Sequence, residues 1–335
     1  MAKPLDQLVG VVGFRFLTSC ALLLVLTGGT AFAQQAPPVP QGAGTPQAPI
    51  ATFRSAVEVV TISASVKTRG GKAVRDLQQA DFEVLDSGVP VALKDFYAGE
   101  SAISLAVLLD ISGSMAVAGN INRAREAVTM AAMNLRNNSD EVALFTFDSE
   151  LREVIDFTTD LTVFERLNLK GKPWGITSLY DAIGASARRV AERSNKHRAL
   201  LVITDGVDTG SRLSAAEVSG IASSIDVPVY LLAVVSPLDH PDGELEAKPN
   251  EERRVLQTSL VDLARWTGGD THFASVPSHT SVALQSILAE LRHQYLLTFE
   301  PGARRGWHPL EVRVKKRNLV VHARGGYMAG SRAGS

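Results

Sequence analysis

A carboxylate followed by two hydroxyls at alternate positions, Asp110-Ile111-Ser112-Gly113-Ser114, closes the apolar run Leu105-Ala106-Val107-Leu108-Leu109. Gly113 lets the backbone turn sharply between the hydroxyls. One Asp and two Ser offer only oxygen donors, which suits a hard cation such as Mg²⁺ that keeps several waters and uses one or two carboxylates. Taken alone, the same residues would serve equally well as the N-cap of a helix. Two further stretches add matching chemistry. Arg198-Ala199-Leu200-Leu201-Val202-Ile203-Thr204-Asp205-Gly206 is a second apolar run ending in a carboxylate, and Gly175-Ile176-Thr177-Ser178 places a hydroxyl where a loop turns into a helix.

These side chains need elements to hold them. Unbroken apolar runs read as strands buried on both faces, the centre of a parallel sheet. Ligands of such sheets gather outside the carboxyl ends of the strands. The surrounding sequence alternates strand and helix, as in a doubly wound α/β fold. Strands are expected at Ile103–Leu109, Glu141–Phe147, Leu151–Ile155, Ala199–Thr204, Pro228–Val235 and Thr271–Ala274. The second and third flank the turn Asp148-Ser149-Glu150, so one edge strand should run antiparallel in a mostly parallel six-stranded sheet. Helices are expected at Ile121–Arg136, Ser178–Arg193, Ala215–Ile225, Val255–Trp266 and Ser281–His293, the fourth stopped by Gly268-Gly269. Right-handed crossovers then bring the three motif loops to one edge.

At this point the chain resembles a known family. Asp110-x-Ser112-x-Ser114, then Thr177, then Asp205 are similar in order and spacing to the metal-ion-dependent adhesion site of von Willebrand factor type A (VWA) domains. The resemblance implies a Rossmann-like fold in which Ser112, Ser114 and Thr177 touch Mg²⁺ (or Mn²⁺ or Ca²⁺) through hydroxyls. It implies that Asp110 and Asp205 act directly or through water, and that an Asp or Glu of a protein partner completes the octahedron. Gly113, Gly175, Asp181, Gly206 and Asp208 match positions beside such sites, the two acids as loop-stabilising groups. Ala80–Gly88, Asp205–Arg212, Leu291–Tyr295 and Gly325-Gly326-Tyr327 further resemble a secreted bacterial family known as VWFA-related, over roughly Val57 to Tyr327. Ser114 is followed by Met115-Ala116-Val117-Ala118 without an acid, which argues against the second metal site that integrins place there.

The flanks read differently. Residues 1–33 have the form of a secretory signal, with Lys3 and Arg15 ahead of an apolar stretch and Ala31-Phe32-Ala33 as the cleavage site. Cleavage after Ala33 implies a secreted or periplasmic protein with no stable membrane span. Residues 34–52, rich in Pro, Gln and Gly, form a linker. Short alternating strands follow over 53–99 and recur over 294–327, as Tyr295–Phe299, His308–Val314 and Leu319–Ala323, before a tail at 328–335. Neither set suffices for an independent sheet, so the two ends should combine into one small β-domain around a VWA domain spanning 100–293. Arg313-Val314-Lys315-Lys316-Arg317, with a turn at Asn318, reads as a solvated hairpin. Ser236–Arg253 reads as a long loop at the carboxyl edge, either shaping the partner site or forming an acidic insertion.

Composition excludes several classes. Hydrophobic content of 45% and charged content of 21% are ordinary for a globular chain, and a net charge of −1 without a long basic run argues against nucleic acid. The single cysteine, Cys20, lies in the leader, so disulfides and thiol catalysis are not expected of the mature chain. A dehalogenase-like phosphohydrolase would need a second Asp where Ser112 stands. No G-x-x-x-x-G-K-[ST] loop and no G-x-S-x-G elbow occurs. The seven His, including His240, His272 and His279, lack the paired spacing of a zinc site. The sequence therefore predicts an exported, non-enzymatic metal-dependent binding protein, its competitor being a scaffold that leaves the site unused.

Overall fold

The structure, a computed structural model, describes residues 59–237 and 251–330, with no side-chain description for 251–258. The signal and cleavage site, the linker, Cys20, the middle of the 236–253 loop and the last residues of the tail lie outside the described residues.

Four strands come first: β1 (Val60–Thr68), β2 (Phe82–Asp86), β3 (Val89–Val91) and β4 (Leu93–Ala98). The central unit follows with β5 (Ile103–Asp110), α1 (Asn120–Met133), β6 (Glu141–Phe147), β7 (Leu151–Thr158), the short α2 (Thr162–Glu165), α3 (Leu179–Ala191), β8 (His197–Thr204), α4 (Ala215–Ser224), β9 (Val229–Val234), α5 (Glu251–Thr267), β10 (Thr271–Ala274) and α6 (Pro277–Arg292). Four more strands close the chain: β11 (Tyr295–Phe299), β12 (Gly306–Val314), β13 (Leu319–Ala323) and β14 (Gly326–Ala329).

The central sheet has the order β10-β9-β8-β5-β6-β7, parallel except for β7, which pairs antiparallel with β6 at the edge. This is the doubly wound α/β sheet expected of a VWA fold. Every residue of β5 is buried. The pleat sends alternate side chains to opposite faces: Leu105, Val107 and Leu109 pack with α1 and α6, while Ala106 and Leu108 pack with α3, α4 and α5. The edge strand β7 keeps one face wet.

The described segments on either side of the central unit, 59–99 and 294–330, do meet. They build two four-stranded sheets, β13-β1-β11-β4 and β14-β12-β2-β3. Both contribute to one core, with Ile62, Phe82, Val84, Leu297, Phe299, Leu310 and Tyr327. Ring pairs Phe82–Tyr295 (5.0 Å) and Phe299–Tyr327 (5.8 Å) bridge the sheets. Arg324 fastens this β-domain to the central unit: its Nη1 donates to Ser223 O (2.7 Å) and its Nη2 to Thr61 O. Gly268 allows the approach, since a Cβ there would lie 2.9 Å from Arg324 N, while Gly269 lets α5 close on β9, where a Cβ would lie 2.1 Å from Val229 O.

Four local expectations are corrected. The basic Arg313–Arg317 stretch is not a hairpin, because β12 pairs with β2 and β14 while β13 pairs with β1 in the other sheet. The turn at Asn318, with φ +63°, changes sheets. Helix α5 starts at Glu251, so Glu251–Arg253 are helical and not loop. Helix α6 begins at Pro277, a turn before Ser281, because proline suits the first helical turn. Strand β14 runs past Tyr327 into the residues assigned to the tail, as Gly306 and Trp307 of β12 pair with Ala329 and Met328.

Candidate metal site at the carboxyl edge of the central sheet

The first loop leaves β5 at Asp110, whose side chain is fully buried. Ser112 N donates to its Oδ1 (2.8 Å) and Thr204 Oγ1 to its Oδ2 (2.6 Å). Burial pushes the carboxyl pKa up to about 6; the hydrogen bonds from Ser112 and Thr204 oppose the shift, and the charge of Asp205 adds to it. The hydroxyls of Ser112 and Ser114 stand 3.1 Å apart. Beyond them the chain enters a tight 3₁₀ stretch, Gly113–Gly119, broken at Val117–Ala118.

The second loop lies against the first. Gly113 N donates to Gly175 O (3.0 Å), and Trp174 N donates to Ile111 O (3.1 Å). A Cβ at Gly113 would press on Gly175 O at 3.2 Å, and Gly175 itself has φ +88°. Both positions therefore favour glycine. Thr177, two residues on, is buried. Its N–H donates to Thr209 Oγ1 (2.9 Å), and its carbonyl accepts from Thr209 N and Gly210 N (2.9 Å each).

The third loop follows β8. Gly206, at φ +86°, turns the chain and donates to Thr204 Oγ1 (3.0 Å). Asp205 is close enough for its charge to act on Asp110. Asp208 Oδ1 accepts from Leu179 N (2.8 Å) and Ser211 Oγ (2.6 Å). Asp181 accepts from Arg212 N (3.1 Å) and Leu213 N (2.9 Å). These two acids tie the start of α3 to the third loop.

The loops carrying Asp110, Ser112, Ser114, Thr177 and Asp205 are thus joined by direct hydrogen bonds at one edge of the sheet. Thr204 is a participant that sequence reasoning passed over, and its signal was a lone hydroxyl at the end of an apolar strand. Thr209 and Ser211, in a polar loop, carried no such mark. Among the described residues, no three His, Cys, Asp or Glu side chains cluster as a metal site. The donor set here has two carboxylates and three hydroxyls, the composition a hard dication accepts and zinc does not favour.

Solved structures to which the chain is similar include an aerotolerance-related membrane protein from Bacteroides fragilis NCTC 9343 (21% identity, 57% of this chain and 98% of that one, TM-score 0.44). They also include BatB from Bacteroides thetaiotaomicron (20% identity, 56% and 98%, TM-score 0.43). A third is the pilus adhesin SpaC from Lactobacillus rhamnosus GG in its open conformation (9% identity, 73% and 47%, TM-score 0.43). No curated protein matches the chain. No helix among the described residues is long and apolar enough to cross a membrane. Residues 105–207, which run from β5 through the third loop, match the family model of the von Willebrand factor type A domain, and the chain carries such a domain.

Proposed function

We propose that this domain is a non-enzymatic binding module that takes up Mg²⁺, or Mn²⁺ or Ca²⁺ in its place, and captures an acidic side chain of a protein partner. Asp110, Ser112, Ser114, Thr177 and Asp205 would hold the ion. When bound, it supplies a positive centre with room for a carboxylate from outside. The observation that carries the reading is the state of Asp110: a fully buried carboxyl whose neighbours are an amide, hydroxyls and a second carboxylate. Hydroxyls from Ser112, Ser114 and Thr177 are neutral, so only two side-chain charges offset a dication there, and a third, external carboxylate is accommodated. Thr204 and the Ser112 amide fix the Asp110 oxygens, and the Gly113–Gly175 bond fixes the distance between loops.

Catalysis has less support, because Ser112 stands where a dehalogenase-like enzyme needs its acid. Export to the periplasm or the medium forms part of the proposal, resting on the sequence of residues 1–33. The test is a thermal melt. Mg²⁺ or Mn²⁺ should raise the melting temperature by linkage, EDTA should cancel the rise, and Asp110→Ala should fold but lose the response. Identical melts of wild type and variant, with and without ion, would leave a scaffold with an unused site.

A further inference from the structure

Beside the proposed ion site the second loop displays large apolar side chains to solvent. Trp174 is 83% exposed, the most exposed large apolar side chain among the described residues, and Ile176 is 53% exposed. Val117, 60% exposed, stands on the first loop three residues after Ser114. Trp174 and Ile176 flank Gly175 on a backbone that is held firmly. Trp174 N is bonded to Ile111 O, Gly175 O to Gly113 N, and Gly171 O accepts from Arg125 Nη2 (2.6 Å). Ile176 reaches across to the third loop, where its Cδ1 lies 2.6 Å from the place a Cβ of Gly210 would occupy. The indole and the Ile side chain are thus presented outward from a rigid frame on either side of the loop contact. Two exposed lysines, Lys170 and Lys172, precede them on the same segment, while Asp148 is already paired with Arg152.

Contiguous exposed apolar groups around a polar centre mark binding surfaces, and Trp is among the residues most often carrying their affinity. We infer that Trp174 and Ile176 form a specificity rim, and that the partner presents its Asp or Glu next to a large apolar residue that lands on them. The lysines favour an acidic partner of this kind by charge complementarity. The inference rests on the metal-capture reading above and specifies the partner's chemistry.

The test uses the full chain in Mg²⁺ with three fluorescein-labelled hexapeptides. One has Phe and Leu on either side of its single Asp, the second has Ser at both flanks, and the third has Phe and Leu around Asn. Fluorescence anisotropy should give at least tenfold tighter binding for the Phe/Leu–Asp peptide than for the Ser-flanked one. EDTA and the Asn peptide should abolish that binding. Trp174→Ser with Ile176→Ser should bring the first peptide to the level of the second while leaving the Mg²⁺ thermal shift intact. Equal binding of both Asp peptides, a preference unchanged in the double variant, or no binding at all overturns the rim, and an intact ion-induced thermal shift would then leave metal uptake standing. If the Phe/Leu peptides bind equally with Asn and in EDTA, carboxylate capture itself fails and the inference falls with it.

Discussion

Two buried carboxylates on opposite sides of the central unit meet opposite fates. Asp110, at the carboxyl edge of the sheet, is pushed up to about 6 by burial, with an amide, a hydroxyl and a second carboxylate around it. Glu290, on α6 where that helix meets the β-domain, is just as buried, and burial alone would raise it too. The imidazole of His322, the ammonium of Lys67 and the hydroxyl of Ser65 hold it down to about 2. Lys67 forms an ion pair with Glu290 and a second with Asp270 (3.2 Å), and Tyr230 donates to Glu290 Oε1 (3.1 Å). The cost of desolvating a carboxylate is common to both sites; the difference lies in whether the chain brings its own cation. At the joint it does, and the result is a closed structural pair. At the sheet edge it brings hydroxyls, which is what the proposed uptake of a cation from solution requires.

The contrast breaks most readily at the joint. Lys67→Met leaves Glu290 buried without its ammonium partner, and urea unfolding should show a loss of about 3–5 kcal/mol. A loss under 1 kcal/mol would mean that the neighbouring hydroxyls and His322 suffice. The folded pKa of Glu290 lies below the unfolded value of 4.5. Its stabilisation is therefore complete above pH 4.5 and should vanish as pH falls towards 2, a limb that Glu290→Gln should flatten.

A third buried group gives a smaller effect of the same sign by another route. His197, at the opposite end of the sheet, has no hydrogen-bond partner for either ring nitrogen among the described residues. Burial, then the charges of His293 and Lys196, lowers its pKa from 6.5 to about 4. The unfolded chain binds the extra proton between those values, so stability drops as pH falls through them. His197→Phe should gain about 2 kcal/mol on wild type at pH 5 relative to pH 8, from the size of that shift. Parallel pH profiles for the two proteins would remove His197 from the account.

Asp110 should behave in the reverse sense. Its folded pKa lies above the unfolded 3.8, so in EDTA the charged form weakens the fold above pH 6, and the penalty disappears as pH falls towards 3.8. Asp110→Asn keeps an acceptor for the Ser112 amide and should be about 1–2 kcal/mol more stable than wild type in EDTA at pH 8, with the order reversed in excess Mg²⁺. Destabilisation in EDTA would show that the protein already compensates the charge. At the bottom of the scale, Trp174→Ser should change the unfolding midpoint by less than about 0.5 kcal/mol, since the indole is largely exposed. A larger loss would make Trp174 a packing residue.

Much of this molecule can be read along the chain. Periodicity located all six strands of the central sheet, because strands buried on both faces are unbroken apolar runs and a turn such as Asp148-Ser149-Glu150 marks a hairpin. The oxygen donors stand out for a similar reason: polar residues abruptly end apolar strands. The need of the flanking strands for partners was also apparent, as short amphipathic strands cannot stand alone. Strand β4, with its mixed sequence Leu93–Ala98, carried too weak an alternation to be seen.

Only the tertiary structure decided which strands pair, so that neighbours β12 and β13 enter different sheets while β1 finds β11 and β13 from the far end of the chain. It also decided which acids are compensated. Asp181 and Asp208 engage backbone amides and a hydroxyl, Glu290 finds Lys67, and Asp110 finds Thr204 and Asp205. Local sequence encodes burial through side-chain period and turn chemistry. The field at a buried charge is set by groups that the fold brings in from remote positions, and no local pattern carries that sum.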